Sequence, residues 1–305
     1  MEKKIDGTLV SEVLYTELLK YIEKKSHSAS HIESLPPKLR IISVGDNYGS
    51  KMYGNMKKKK LSEKLGYDVE TIHYDDISYD SLRIDIENAN TDGLIDGVML
   101  QLPLSQELSK YERELLDLID SKKDVDGLTS NSLGDLVVGK NCLESCTPKG
   151  IITLLKVYNV PLIGKNVCIV NRSNIVGKPL FHMFLRENAT PTICHSKTNN
   201  LKEMTRQADI LITATNQCEM FDRSYIKDNA VIIDVGVNKN SEDQTVGDVD
   251  YSDVYDKASL ITPPIGGVGP MTVCMLAYNT AKAKYGNEVD VVLNDGIEKA
   301  KQLIK

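Results

Sequence analysis

Apolar positions along the chain follow two spacings. In "LVSEVLYTELLKYIEK", Val10, Leu14, Leu18 and Ile22 recur every four residues, which predicts a helix with one apolar face. "LRIISVG" is a short apolar run closed by a turn, and a lysine-rich helical stretch follows it. "DVETIHY" and "IDGVMLQLP" read as two further strands, the last ended by Pro103. This alternation predicts βαβ units and a parallel sheet. After the connection "VVGKNCLESCTPKG" a second series begins: "NVCIVN", "TPTICHS", "ADILITAT", "AVIIDVGV" and "SLITP". Apolar runs of this kind suit strands covered on both faces, and their repetition reads as a Rossmann-type sheet. "GGVGPMT" then opens onto a long helix, "VCMLAYNTAKAKYG", and "VDVVLNDGIEKAKQLIK" predicts one more. Thr147 and Pro148 read as an N-cap followed by a proline at the first helical position, and the domain boundary is placed there. The expected class is α/β with two domains and no internal repeat.

The net charge of −6 argues against a generally basic surface for nucleic acid, so a site for an anionic ligand must be a local patch. No apolar run approaches the roughly 18 residues of a membrane span, and "MEKKIDGTLV" lacks the apolar core of a signal peptide. Six cysteines are scattered with no CxxC, which fits a reduced, cytoplasmic-type compartment. His27 and His31 sit four apart in a polar connection, and no metal site is expected.

The turn after the first strand of the second series, "VNRSNIVGKP", holds only Gly177 where a dinucleotide fold normally shows G-x-G-x-x-G. An NAD site would place Asp or Glu at the end of the next strand; this one ends in His195, Ser196 and Lys197, and Arg172 lies in the first turn. A cationic, hydroxyl-bearing site favours a 2′-phosphate, hence NADP over NAD. "TPPIGGVGPMT" is a second glycine-rich loop opening onto a helix, with Pro270 as a candidate first residue.

On a helical wheel over residues 52 to 65, Lys57 and Lys60 fall within the apolar arc, whereas Lys58 and Lys59 fall at its margins. A lysine there either snorkels to solvent or, aimed into a cleft, has a lowered pKa suited to acid–base work. Gln101 stands at the end of a parallel strand, where ligands commonly bind. Asp124 and Asp126 lie in a glycine-containing loop where turn-forming aspartates are also common.

Ordered blocks now accumulate: "SKMYGNMKKK", "DGVMLQLPL", "KDVDGL", "CTPKGI", "RSNIVGKPL", "TICHSKTNNL", "ADILITAT", "IDVGVN", "GDVDY" and "GGVGPMT". Together the sequence resembles the bifunctional methylenetetrahydrofolate dehydrogenase/methenyltetrahydrofolate cyclohydrolases over nearly its whole length. The resemblance implies a three-layer α/β folate-binding catalytic domain at 1–147, with helix 284–305 packing back on it. It also implies a Rossmann-type NADP domain at 148–283, and an active-site cleft between the two. By resemblance the catalytic residues are Tyr53, which stacks, Lys57, and Gln101, which positions that lysine. Asp126 binds the pterin, with Gly267 and Pro270 beside the substrate. Cofactor contacts fall on Asn171, Arg172, Ser173, Ile175, Ser196, Thr215 and Val237, with Arg172 and Ser196 at the 2′-phosphate. Tetrahydrofolate derivatives are the implied partners, with no nucleic acid or membrane, and a cytoplasmic homodimer is the implied state. No formyltetrahydrofolate ligase domain is expected, since the chain ends just after the last helical pattern.

Four positions depart from the family pattern. Asn171 and Asn216 stand where glycines are usual, and Cys218 and Ile265 where prolines are. Asparagine tolerates positive φ better than other non-glycine residues, but its side chain adds bulk where the cofactor comes close to the backbone. Asn171 therefore keeps a dehydrogenase-only, NAD-dependent relative in play, although that branch tends to lose the lysine and glutamine present here. A non-catalytic nucleotide-binding homologue is the third reading, and Lys57, Gln101 and Asp126 argue against it.

Overall fold

The computed structural model describes residues 3–28, 34–45 and 48–304, and only the backbone of residues 48–53, 55 and 56. His31 lies outside the described residues. The first part of the chain forms α1 (Gly7–Ser28), β1 (Lys38–Val44), α2 (Tyr48–Leu65), β2 (Asp68–Tyr74), α3 (Tyr79–Thr91), β3 (Gly97–Leu100), α4 (Glu112–Asp117) and α5 (Ser130–Val137). The helical spacing at the start places Val10, Leu14, Leu18 and Ile22 in the core, as the pattern predicts. The three strands run parallel in the order β2-β1-β3. Every residue of β3 is buried, which explains its unbroken apolar run. Ile42, Val44, Leu82, Ile86, Leu100 and Leu115 form the core beside this sheet.

The second part forms α6 (Cys146–Val157), β4 (Asn166–Val170), α7 (Gly177–Arg186), β5 (Thr190–Cys194), α8 (Leu201–Arg206), β6 (Ile210–Thr213) and β7 (Val231–Asp234). Then follow β8 (Asn238–Lys239), β9 (Thr245–Val246), α9 (Tyr251–Val254), β10 (Leu260–Ile261), α10 (Val268–Tyr285) and α11 (Glu288–Leu303). A five-stranded parallel sheet has the order β10-β7-β6-β4-β5, and β8 and β9 form a small antiparallel hairpin. The order reverses beside β4, so its C-terminal end is the topological switch point where such sheets bind ligands.

The chain divides into two units, one of Leu14–Cys146 with Leu276–Gly296, the other of Met1–Val13, Thr147–Met275 and Ile297–Lys305. These limits differ from 1–147 and 148–283 at both ends of the chain, for identifiable reasons. Ile5 donates its N–H to the Ile261 carbonyl at 2.8 Å, and Ile261 returns a bond to Lys3 at 2.8 Å, tying the start of the chain to β10. Residues 276–296, rather than 284–305, go with the first sheet, because Tyr67 Oη bonds the Ala277 carbonyl at 2.9 Å and Asn279 is buried against residues 125–146.

Two helix starts also differ from the sequence reading. Helix α6 begins at Cys146, so Thr147 is inside it, and its Oγ1 meets Thr272 Oγ1 at 2.9 Å instead of capping. Helix α10 begins at Val268, two residues before Pro270, a first-turn position that needs no N–H. Among the described residues no helix is long and apolar enough to cross a membrane.

Candidate active site

In the first unit, three separate pieces of chain meet around Lys57. Helix α2 carries the lysine inward: Lys57 is 4% exposed, whereas Lys58 and Lys59 are exposed and Lys60 is half-buried. The wheel left Lys57 and Lys60 equal; burial separates them. Lys57 Nζ donates to Gln101 Oε1 at 2.8 Å and to Met99 Sδ at 3.5 Å. Gln101 follows directly on β3, its own N–H bonded to Ile42 at 2.8 Å. Its Nε2 donates to the Leu102 carbonyl at 2.8 Å, which turns Oε1 toward the lysine. The next peptide bond, Leu102–Pro103, is cis. Tyr53 lies on α2 one turn before Lys57, and its side chain is outside the described residues.

The two loop aspartates separate into different roles. Asp124 is buried and turns its own loop, accepting from Leu128 N at 3.2 Å and Thr129 N at 2.8 Å. Asp126 is half-buried, and the Lys57 ammonium feels its charge. Burial pushes the Asp126 carboxyl above the usual carboxylate range; Asp124 adds to this, while Lys57 and the Cys146 thiol pull it back. Burial likewise lowers the Lys57 pKa, and the negative charge of Asp126 only partly restores it. Gly127, at φ +67°, lets the loop press on Glu144 and Ser145, where a Cβ would lie 2.5 Å from backbone.

Cys146, Met99 and Asn279 are parts of this cluster that sequence reasoning missed. Cys146 is buried, its Sγ bonding the Val125 carbonyl at 3.3 Å, and its thiol reaches Asp126. Asn279 is fully buried and donates to Val125 O at 2.8 Å and Glu144 O at 2.7 Å, with Cys146 Sγ at 3.6 Å. The available signals were an asparagine in the midst of the apolar run of α10 and a cysteine opening the "CTPKGI" block. Gly267 and Pro270 belong to the other unit. There Gly267 is buried, and a Cβ on it would lie 2.6 Å from Pro263 O.

In that second unit the remaining candidates gather at the C-terminal ends of β4, β5, β6 and β7. Arg172 and Ser196 are exposed after the adjacent strands β4 and β5. Ile175 and Val237 are also exposed. The Asn171 carboxamide does not project outward. Its Nδ2 bonds the Ala214 carbonyl at 2.6 Å, and its Oδ1 accepts from Ser173 N, Ser173 Oγ and Gly177 N at 2.8, 2.8 and 3.0 Å. The added bulk is thus spent inside the turn, closing the start of α7. Ser173 is committed to the same turn, since its Oγ also accepts from Val176 N at 3.1 Å. Asn216 takes the left-handed conformation, φ +54°, expected where the family pattern has glycine. Thr215 Oγ1 is buried with no hydrogen-bond partner, which marks a position for a polar group from outside the chain. An exposed arginine, an exposed serine and this unmet hydroxyl fit a phosphorylated dinucleotide.

A family model described as the catalytic domain of tetrahydrofolate dehydrogenase/cyclohydrolase matches residues 5–126, and one described as its NAD(P)-binding domain matches residues 145–287. The bifunctional protein FolD of Clostridium perfringens strain 13 is 45% identical over 283 residues, covering 92% of this chain and 99% of that protein. The crystal structure of the bifunctional dehydrogenase/cyclohydrolase FolD of Campylobacter jejuni superposes with a TM-score of 0.85 at 36% identity, covering 92% of this chain and 97% of that one. The Trypanosoma brucei dehydrogenase-cyclohydrolase, solved with NADP and an inhibitor, gives a TM-score of 0.85 at 28% identity over 92% and 96% of the two chains. With both family domains matched and relatives this similar over nearly the whole length, the chain belongs to the tetrahydrofolate dehydrogenase/cyclohydrolase family.

Proposed function

We propose that the protein oxidises 5,10-methylenetetrahydrofolate with NADP and hydrolyses the 5,10-methenyl product to 10-formyltetrahydrofolate. The observation that carries this is the buried Lys57 side chain, its Nζ 2.8 Å from Gln101 Oε1 and within the electrostatic reach of Asp126. The folate is held by the unit that contains these residues, and the dinucleotide by the five-stranded unit. The Asp126 carboxylate accepts two parallel N–H bonds from an aminopyrimidine edge, and Tyr53 stacks on the aminobenzoyl ring. Oxidation needs only that the one-carbon bridge be held in line; the nicotinamide, when bound, supplies the hydride acceptor. Arg172 and Ser196 bind the 2′-phosphate, and Thr215 Oγ1 takes a hydrogen bond from the cofactor or gives one to it.

Hydrolysis places the demand on Lys57. Water adds to the methenyl carbon and a proton must leave it. A lysine whose pKa is lowered by burial is more readily neutral than a solvated one; in that form it accepts the proton at Nζ and returns it to the ring nitrogen that departs. Gln101 fixes Nζ for both transfers. We further propose a cytoplasmic homodimer, checked by sedimentation equilibrium.

The test is initial-rate oxidation with NADP against NAD, followed by hydrolysis of the methenyl product. The expected result is NADP preference and both activities in one polypeptide. NAD preference overturns the roles given to Arg172 and Ser196.

A further inference from the structure

We propose that Asp248 is a positioning residue for the cofactor, clamping the turn that carries Thr215 and Asn216 to the hairpin that follows Val237. The inference rests on reading these two segments as the cofactor loops. Asp248 is fully buried, so it touches no ligand itself. Its Oδ2 accepts the Thr215 N–H, and its Oδ1 accepts Gln217 N and Asn238 Nδ2, both at 3.0 Å. The two backbone donors lie on either side of Asn216, the left-handed residue. One carboxylate therefore fixes the peptides before and after that turn and ties both to β8. Bonds from Glu219 N to Gly247 O at 3.1 Å and from Phe221 N to Asp248 O at 3.0 Å extend the join.

Asp234, at the end of β7, holds the other side of the same assembly. Its carboxylate accepts from Thr213 Oγ1 at 3.1 Å, Gly236 N at 2.9 Å and Val249 N at 2.9 Å. No room remains around the pair. A Cβ on Gly236 would lie 2.2 Å from Asp248 Oδ1, and one on Gly247 would lie 1.9 Å from Asp234 Oδ2. Both loops follow the C-terminal ends of parallel strands, where ligands bind in such sheets. A charged acceptor shared by several N–H groups is strong and directional. It sets the direction in which Thr215 Oγ1 points, and with it the contact available to the dinucleotide.

The test is Asp248→Asn in the full-length enzyme. The new Nδ2 faces at least one N–H that formerly had an acceptor, so one charge-assisted bond becomes a repulsion. Loss of one such bond raises KM for NADP by about tenfold to a hundredfold. At saturating NADP, kcat and KM for 5,10-methylenetetrahydrofolate stay within about twofold, as does hydrolysis of methenyltetrahydrofolate without NADP, since a local loosening reaches neither Lys57 nor its partners. Asn238→Ala, which removes one donor and keeps both backbone bonds, shifts KM for NADP in the same direction by a smaller factor, and decides the matter where Asp248→Asn does not fold. A folded Asp248→Asn with an unchanged KM for NADP overturns the proposal, as does equal loss toward both substrates or an unaltered Asn238→Ala. A wild-type enzyme that fails to bind NADP overturns the cofactor-loop reading beneath it, before any variant is made.

Discussion

Replacing Lys57 by methionine removes the ammonium while keeping an unbranched side chain of similar length. Two effects on stability oppose each other. The folded protein no longer buries a charge at a 4%-exposed position, which returns several kcal/mol of desolvation cost. Against this, Gln101 Oε1, on a half-buried side chain, loses its 2.8 Å donor, a loss of at most about 1–3 kcal/mol. Gln101 itself stays anchored through Nε2 to Leu102, so the site does not collapse. The net change in stability is therefore within about 2 kcal/mol. Cyclohydrolase turnover, in contrast, loses the proton carrier, worth about 10²- to 10⁴-fold or roughly 3–5 kcal/mol of barrier. The assay is the decay of methenyltetrahydrofolate absorbance, with urea unfolding on the same preparation. Lys58→Met and Lys59→Met, which alter exposed side chains, leave the rate within about twofold. A folded Lys57→Met with full cyclohydrolase activity would refute the reasoning, as would loss of activity in a folded Lys58 or Lys59 variant.

Three other outcomes follow from the same geometry. Asp126 raises the pKa of Lys57, so in Asp126→Asn at saturating folate the acidic limb of the cyclohydrolase pH–rate profile, along which Lys57 loses its proton, moves to lower pH; movement upward contradicts the coupling. Asn279→Ala leaves the Val125 and Glu144 carbonyls without their buried donor and costs about 3 kcal/mol in urea unfolding; a change below about 1 kcal/mol shows that the bonds are replaced. The Asp234 carboxyl is pushed up to about 6, first by burial and then by Asp248. The folded state therefore holds this proton more tightly than the unfolded chain. This contribution to stability is fully present below about pH 4, the ordinary range of an unfolded aspartate, and is lost as pH rises through about 6. A carboxyl ¹³C titration of Asp234 with a midpoint below 4.5 contradicts the environment described.

Most of the fold is written in short-range patterns. Each β-type run of the second series became a strand of the five-stranded sheet; the inner strands β4, β6 and β7 are buried almost throughout and need unbroken apolar residues, whereas the edge strand β5 leaves Thr190 and Thr192 exposed. The spacing in α1 showed its buried face for the same kind of reason. What was hidden depends on contacts distant in sequence. The wheel could not separate Lys57 from Lys60, since only the arrival of Gln101, 44 residues later, defines the inner side. Cys146 drew no role from the sequence because its partners, Val125 and Asp126, come from a different loop. Asn171 read as an obstruction because its inward bond to Ala214 spans 43 residues. The helix starts at Cys146 and Val268 were misplaced because each helix begins one or two residues before its local start signal, where tertiary context overrides local preference.

The interleaved make-up of the two units bears on how the protein is synthesised. Residues 276–296 complete the unit that holds Lys57, Gln101 and Asp126, yet they leave the ribosome after nearly all of the other unit. Until then the Val125 and Glu144 carbonyls lack Asn279, and Tyr67 lacks its bond to Ala277. At about 5–20 residues per second, the nascent active-site half waits roughly 7 to 26 seconds for the start of its last piece. Nascent chains of increasing length should therefore acquire protease resistance late and in a single step, with neither unit protected much before the other.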